Sequence, residues 1–149
     1  MHLFTTNDPT FPIFFNLNTS VGRAGQNSDF QDILLVQWML KKMVERAPGT
    51  TPEAKAADDV IRQMQVTGGV DPQTIAAIEA FQKSLKVRNP GVVVDGKMSP
   101  AKGIQYGTAV WSIAQLNNFI RKNCQDKWPR LQDFTDCPSS LQVRFQEIL

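Results

Sequence analysis

Histidine is all but missing from this chain, with His2 its single copy. One imidazole at the very start rules out a histidine-based triad and a multi-histidine zinc site. HExxH, GxSxG and the P-loop pattern do not occur either. Cysteine is scarce: Cys124 and Cys137 are the only two, and no C-x-x-C joins them. That excludes the usual metal-site spacings, and without a secretory signal the expectation is two free thiols. A short loop between them leaves a disulfide geometrically open. Charge of one sign is also lacking, since 16 Lys+Arg stand against 14 Asp+Glu, for a net charge of +2. No basic run marks a nucleic-acid footprint.

Long apolar runs are missing too, and none approaches the roughly 20 residues that span a bilayer. Met1 to Leu17 holds no Lys or Arg, and Asp8, Pro9 and Pro12 break its apolar stretch. A cleavable export signal needs a basic start and an unbroken apolar segment of about 7–15 residues. The expectation is a chain that is cytoplasmic as made. Export to the periplasm or cell wall by a route that reads no such signal stays open.

What is present is ordinary globular material, 42% hydrophobic and 20% charged. Residues 1–20 read as an extended arm bearing Phe4, Phe11, Phe14 and Phe15, since Pro9 and Pro12 exclude a continuous helix. Its phenylalanines either pack on the body or dock a partner. Ser28 or Asp29 caps a helix over Phe30 to Arg46, with Ile33, Val36, Leu40 and Met43 or Val44 at helical spacing. Leu34, Leu35, Trp38 and Met39 widen that stripe almost all round, so other parts of the chain must cover it. Pro48 and Gly49 end this helix. A second helix starts at Thr51-Pro52 and runs to about Gln65, and a third spans Pro72 to about Leu85 behind an Asp71 cap. A fourth is expected over Thr108 to Lys122, and a fifth over Ser139 to Leu149. Five helices with at most two very short strands make the expected class all-α.

Two glycine turns repeat a spacing: Gly68-x-x-x-Pro72 and Gly96-x-x-x-Pro100. The order of the blocks resembles the peptidoglycan-binding-domain-like family. The first block is Asp32, Ile33, Val36, Gln37 and Leu40, behind Val21, Gly22 and Gly25. The second is Thr67, Gly68, Pro72, Thr74, Ala77, Ile78, Phe81 and Gln82. The third is Val94, Asp95, Gly96 and Pro100. The resemblance covers about residues 21–103. It implies a three-helix module with an inserted helix at 47–66, a preceding arm at 1–20 and a helical extension at 104–149. Departures fall in the turns, where Thr67 replaces an aspartate, and Asp71 and Ser99 replace glycines.

Most matched residues have structural work: Phe81 is core, Gly68 and Gly96 form turns, and Gln37 and Gln82 satisfy turn backbone. Ligand contact is expected from Arg23, Gln26, Asn27, Asp95 and Lys97 near the turns, with Trp38, Trp111 and Trp128 as candidates for stacking. Catalysis is not expected, because Glu45, Glu53, Asp59 and Glu79 fall on solvated helix faces; no cofactor or metal is implied. The resemblance implies a non-catalytic peptidoglycan-binding protein. The alternative is a protein-interaction adaptor, or a component of a phage-like or secretion apparatus, that reuses the fold.

Overall fold

A computed structural model describes residues 1–106 and 109–149. Its centre is α1 (Phe30–Arg46), whose Asp29 carboxylate accepts the N–H groups of Gln31 at 2.9 Å and Asp32 at 3.1 Å. That cap satisfies donors that have no partner inside the helix. Residues 32–40 of this helix are buried without a break, so it is covered on every side. α2 (Pro52–Gln63) and α3 (Pro72–Lys86) lie along one flank, and α4 (Ser112–Asn123) and α5 (Ser139–Ile148) along another. Thr51 and Asp71 cap α2 and α3, each followed by a proline whose missing N–H costs nothing at that position.

The all-α expectation is overturned. Helices dominate, but among the described residues three two-stranded antiparallel ladders make the class mixed α/β and helix-rich. β1 (His2–Thr5) pairs with β2 (Ile13–Asn16), β3 (Val21–Gly22) with β4 (Lys97–Met98), and β5 (Gln105–Tyr106) with β6 (Ala109–Val110). Each strand has two to four residues. Runs that short carry too little alternation to show a period of two. The expected start of the fourth helix at Thr108 lies outside the described residues; the helix itself begins at Ser112. A short 3-10 turn, Leu131–Asp133, precedes the last helix.

The arm is part of the core. Phe11, Phe14 and Phe15 are buried, and Phe15 meets Phe145 edge-on at 4.7 Å and Trp128 at 5.5 Å between ring centres. Burying each ring is worth about 1.5–3 kcal/mol, which holds the hairpin in place. Two asparagine amides fix its register. Asn117 accepts the Phe15 N–H at 2.8 Å and donates to the Phe15 carbonyl at 2.9 Å. Asn16 does the same to Ala101, with both bonds at 2.8 Å. At the other end of α1, the buried ammonium of Lys42 reaches Asp136 at 2.6 Å and Glu45 at 3.0 Å. That pair ties the C-terminal segment to the central helix.

Both thiols are free and buried. Burial, reinforced by the neighbouring Asp136 carboxylate, pushes the Cys137 thiol up to about 12, and burial raises that of Cys124. A thiol is nucleophilic only as the thiolate. The native protein at pH 8 is therefore expected to react with Ellman's reagent far more slowly than the same chain in 6 M guanidinium, where two thiols titrate promptly. Fast native labelling of either residue would contradict this burial.

Candidate functional site

Two buried glutamines build the site, each holding one turn. Gln37 sits on α1, and its Oε1 accepts the N–H groups of Thr67 and Gly68, both at 2.9 Å. Its Nε2 donates to the Gly69 carbonyl at 2.9 Å and to Thr74 Oγ1 at 3.0 Å. Gln82 on α3 repeats the device at the second turn. Its Oε1 accepts the N–H groups of Asp95 at 3.1 Å and Gly96 at 2.8 Å, and its Nε2 donates to Asp95 Oδ1 at 3.1 Å and the Lys97 carbonyl at 2.8 Å. A primary amide has two donors and an acceptor oxygen with two lone pairs, and here every one is used. The sequence repeat thus has a physical cause: each turn needs one amide, supplied from the helix beside it.

The approach to α1 and the second turn meet at the β3–β4 ladder. Gly22 lies at φ +118, and a Cβ there would stand 2.2 Å from the Gly96 carbonyl oxygen. The close approach lets the Arg23 N–H donate to that oxygen at 2.9 Å. The following loop folds back through Asn27, whose amide accepts from the Gly22 N–H at 2.8 Å and donates to the Gly22 carbonyl at 3.0 Å. Arg23 is thereby fixed at its backbone while its guanidinium stays exposed beside α3. There it reaches Glu79 at 2.9 Å, and Lys83 reaches the same carboxylate at 3.2 Å. The Lys83 hydrogen bond first, and Arg23 next, hold the Glu79 carboxyl below its usual 4.5. A depressed carboxyl keeps its pairing above the usual value and loses it only as pH falls through the depressed one. The trio accordingly carries one net positive charge at neutral pH.

Beside this trio a cleft of about 790 Å³ opens between α2 and α3. Ala56, Ala57 and Val60 form one wall, and Ile75, Ala76 and Ala80 the other, with Arg23, Glu79, Lys83 and Glu53 among its lining residues. Its surface is chiefly apolar. The cause is the composition of α2: of its twelve residues only Asp58 and Ile61 are buried, and alanine methyls face α3 where longer chains would have filled the space.

The expected site residues therefore divide. Arg23 and Gln26 are exposed and Lys97 is half-buried beside the second turn. Asn27 and Asp95 are occupied by the turn itself, Asp95 also accepting the Lys97 N–H at 3.0 Å. Trp38 is corrected: it is only 3% exposed, packed against Phe134 and Phe145, and has no face free to stack on a sugar. It borders a second hollow of about 680 Å³ that Lys41, Glu45, Arg62 and Asp136 also line. Trp128 lies against Phe11 and Phe15, and Trp111 is packed against the core. Sequence reasoning missed Lys83 and the cleft, and placed Glu79 on a merely solvated face. The signal available was the run of alanines in α2.

Among the described residues, no group of three His, Cys, Asp or Glu side chains is placed to hold a metal ion. No described helix is long and apolar enough to cross a membrane. No family model matches this chain, and no curated protein or solved structure matches it.

Proposed function

We propose that this protein is a non-catalytic binding module of the peptidoglycan-binding-domain-like type, and that its ligand is the bacterial cell wall. The observation that carries the reading is the pair of glutamine-clamped turns. Gln37 and Gln82, which stand in the blocks that resemble the family's, each make four hydrogen bonds, to the turns around Gly68 and Gly96 and, for Gln37, to Thr74. A second support is negative for the rival: the aromatic arm, which on sequence favoured a protein-docking adaptor, is spent inside the core. Left around the clamped turns are the exposed Arg23 and Gln26 and the half-buried Lys97, a polar and cationic set suited to carboxylates and amides. On this reading the chain acts at the wall.

The adaptor reading keeps one favourable feature, the apolar character of the α2/α3 cleft. Co-sedimentation with purified sacculi separates the two. The native protein is expected in the pellet at micromolar concentration, and an Arg23→Ala/Lys97→Ala variant of unchanged circular dichroism in the supernatant. A folded native protein that stays wholly in the supernatant would sink the wall reading and leave the adaptor.

A further inference from the structure

We infer that the α2/α3 cleft takes the peptide stem of peptidoglycan, and not its glycan strand. The inference rests on the wall-binding reading and names the part of the polymer that this site recognises. Glycan recognition relies on aromatic faces stacked on sugar rings and on hydroxyls met by amides. Among the described residues no aromatic side chain lines the cleft, and Ser84 is its only uncharged polar side chain. Trp38 is buried, Trp111 and Trp128 are half-buried against the core, and none of the three lines the cleft.

A stem peptide has the complementary chemistry. It alternates methyl side chains, from its alanines, with carboxylates from a γ-linked glutamate, a diamino acid and the terminal alanine, and it often carries one free ammonium. Methyl groups of the stem fit against the alanine-lined walls, Ala56 and Ala57 on one side and Ala76 and Ala80 on the other. Carboxylates meet Arg23 and Lys83, which share Glu79 between them and so keep one positive charge in excess. An ammonium meets Glu53, which has no ion-pair partner among the described residues. Cations and a free carboxylate thus border one apolar trough, as charge recognition of a short zwitterionic peptide requires. The wall of this trough formed by α2 belongs to the inserted segment.

The test uses the full chain labelled with ¹⁵N, titrated with a synthetic pentapeptide stem (Ala, γ-D-Glu, diaminopimelate, D-Ala, D-Ala) and, separately, with peptide-free glycan strands. Sacculus co-sedimentation runs alongside. The stem is expected to shift the amides of residues 53–60 and 75–84. Arg23→Gln is expected to weaken binding about tenfold, the value of one charge-assisted contact. Ala80→Phe fills the trough and is expected to abolish the shifts. If that variant does not fold, the exposed Arg23→Gln still decides the question. Sacculi retained with no response to the stem, or with amide shifts from glycan strands alone, would overturn this inference and spare the wall-binding reading. A native protein that neither pellets with sacculi nor responds to the stem would overturn both.

Discussion

Replacing Gln82 by methionine is expected to destabilise the protein by about 3–5 kcal/mol, although the new side chain has nearly the same length and volume. The amide is fully buried and serves both strands of the second turn at once. Without it, the N–H groups of Asp95 and Gly96 and the Lys97 carbonyl lose their partners, and Gly96 is itself buried out of reach of water. Each such group left unpaired costs about 1–3 kcal/mol, whereas a satisfied bond returns about 1. The same change at Gln37 is expected to cost less, about 2 kcal/mol, because water can reach Thr67 and Gly69 once the amide is gone. Urea unfolding followed by circular dichroism measures both. Equal losses at the two sites would mean that burial of the turn is not what sets the cost. A Gln82 loss below about 1 kcal/mol would mean that the turn does not depend on its clamp.

Gly22→Ala is expected to be the other severe substitution, at about 3 kcal/mol or more. Two costs coincide there. The backbone at φ +118 is a conformation that side chains strongly disfavour, and the added methyl would meet a carbonyl oxygen at 2.2 Å. That oxygen, beside the partner strand, accepts from Arg23, so relieving the clash opens the β3–β4 joint. Gly68→Ala looks as bad on distance, 2.0 Å to the nearest atom, but its neighbour is the Phe30 ring. That ring is 53% exposed and can swing outward. Its expected cost is about 1–2 kcal/mol, mostly from φ +79. Thermal unfolding should rank Gly22→Ala well below Gly68→Ala, with melting temperatures separated by several degrees. The reverse order would show that the β3–β4 joint is soft.

Much of the helical frame was legible. The periodic stripe over Phe30 to Arg46 and the Asp29 cap give that helix its observed bounds, because caps and periodicity are local. The Thr51-Pro52 and Asp71-Pro72 starts were legible for the same reason. The breadth of apolar residues on α1 implied cover from other parts of the chain, and Phe134 and Phe145 supply part of it against Trp38. The ladders were not legible. β3 and β4 are two residues each and are separated by more than seventy positions, so their pairing depends on the whole fold. Asn117 shows another limit: it occupies a core position in a helical stripe, and its partner is the backbone of Phe15, 102 residues away. For the site, Arg23 and the clamped turns were readable as short motifs. The cleft was not, since it arises from what two packed helices fail to fill.

Asn117 also has a bearing on how the protein behaves in crowded solution. Strand β2 faces β1 along one side; its other side would be a free edge, with the N–H and carbonyl of Phe15 ready to template a second chain. The asparagine amide stands where a neighbouring strand's peptide group would go, and the next outward N–H, that of Leu17, is taken by Asn16 Oδ1 at 2.9 Å. A phenylalanine-rich hairpin is a natural seed for intermolecular sheet growth. Here two side chains plug its open side, so folding and protection from aggregation are achieved by the same pair of amides.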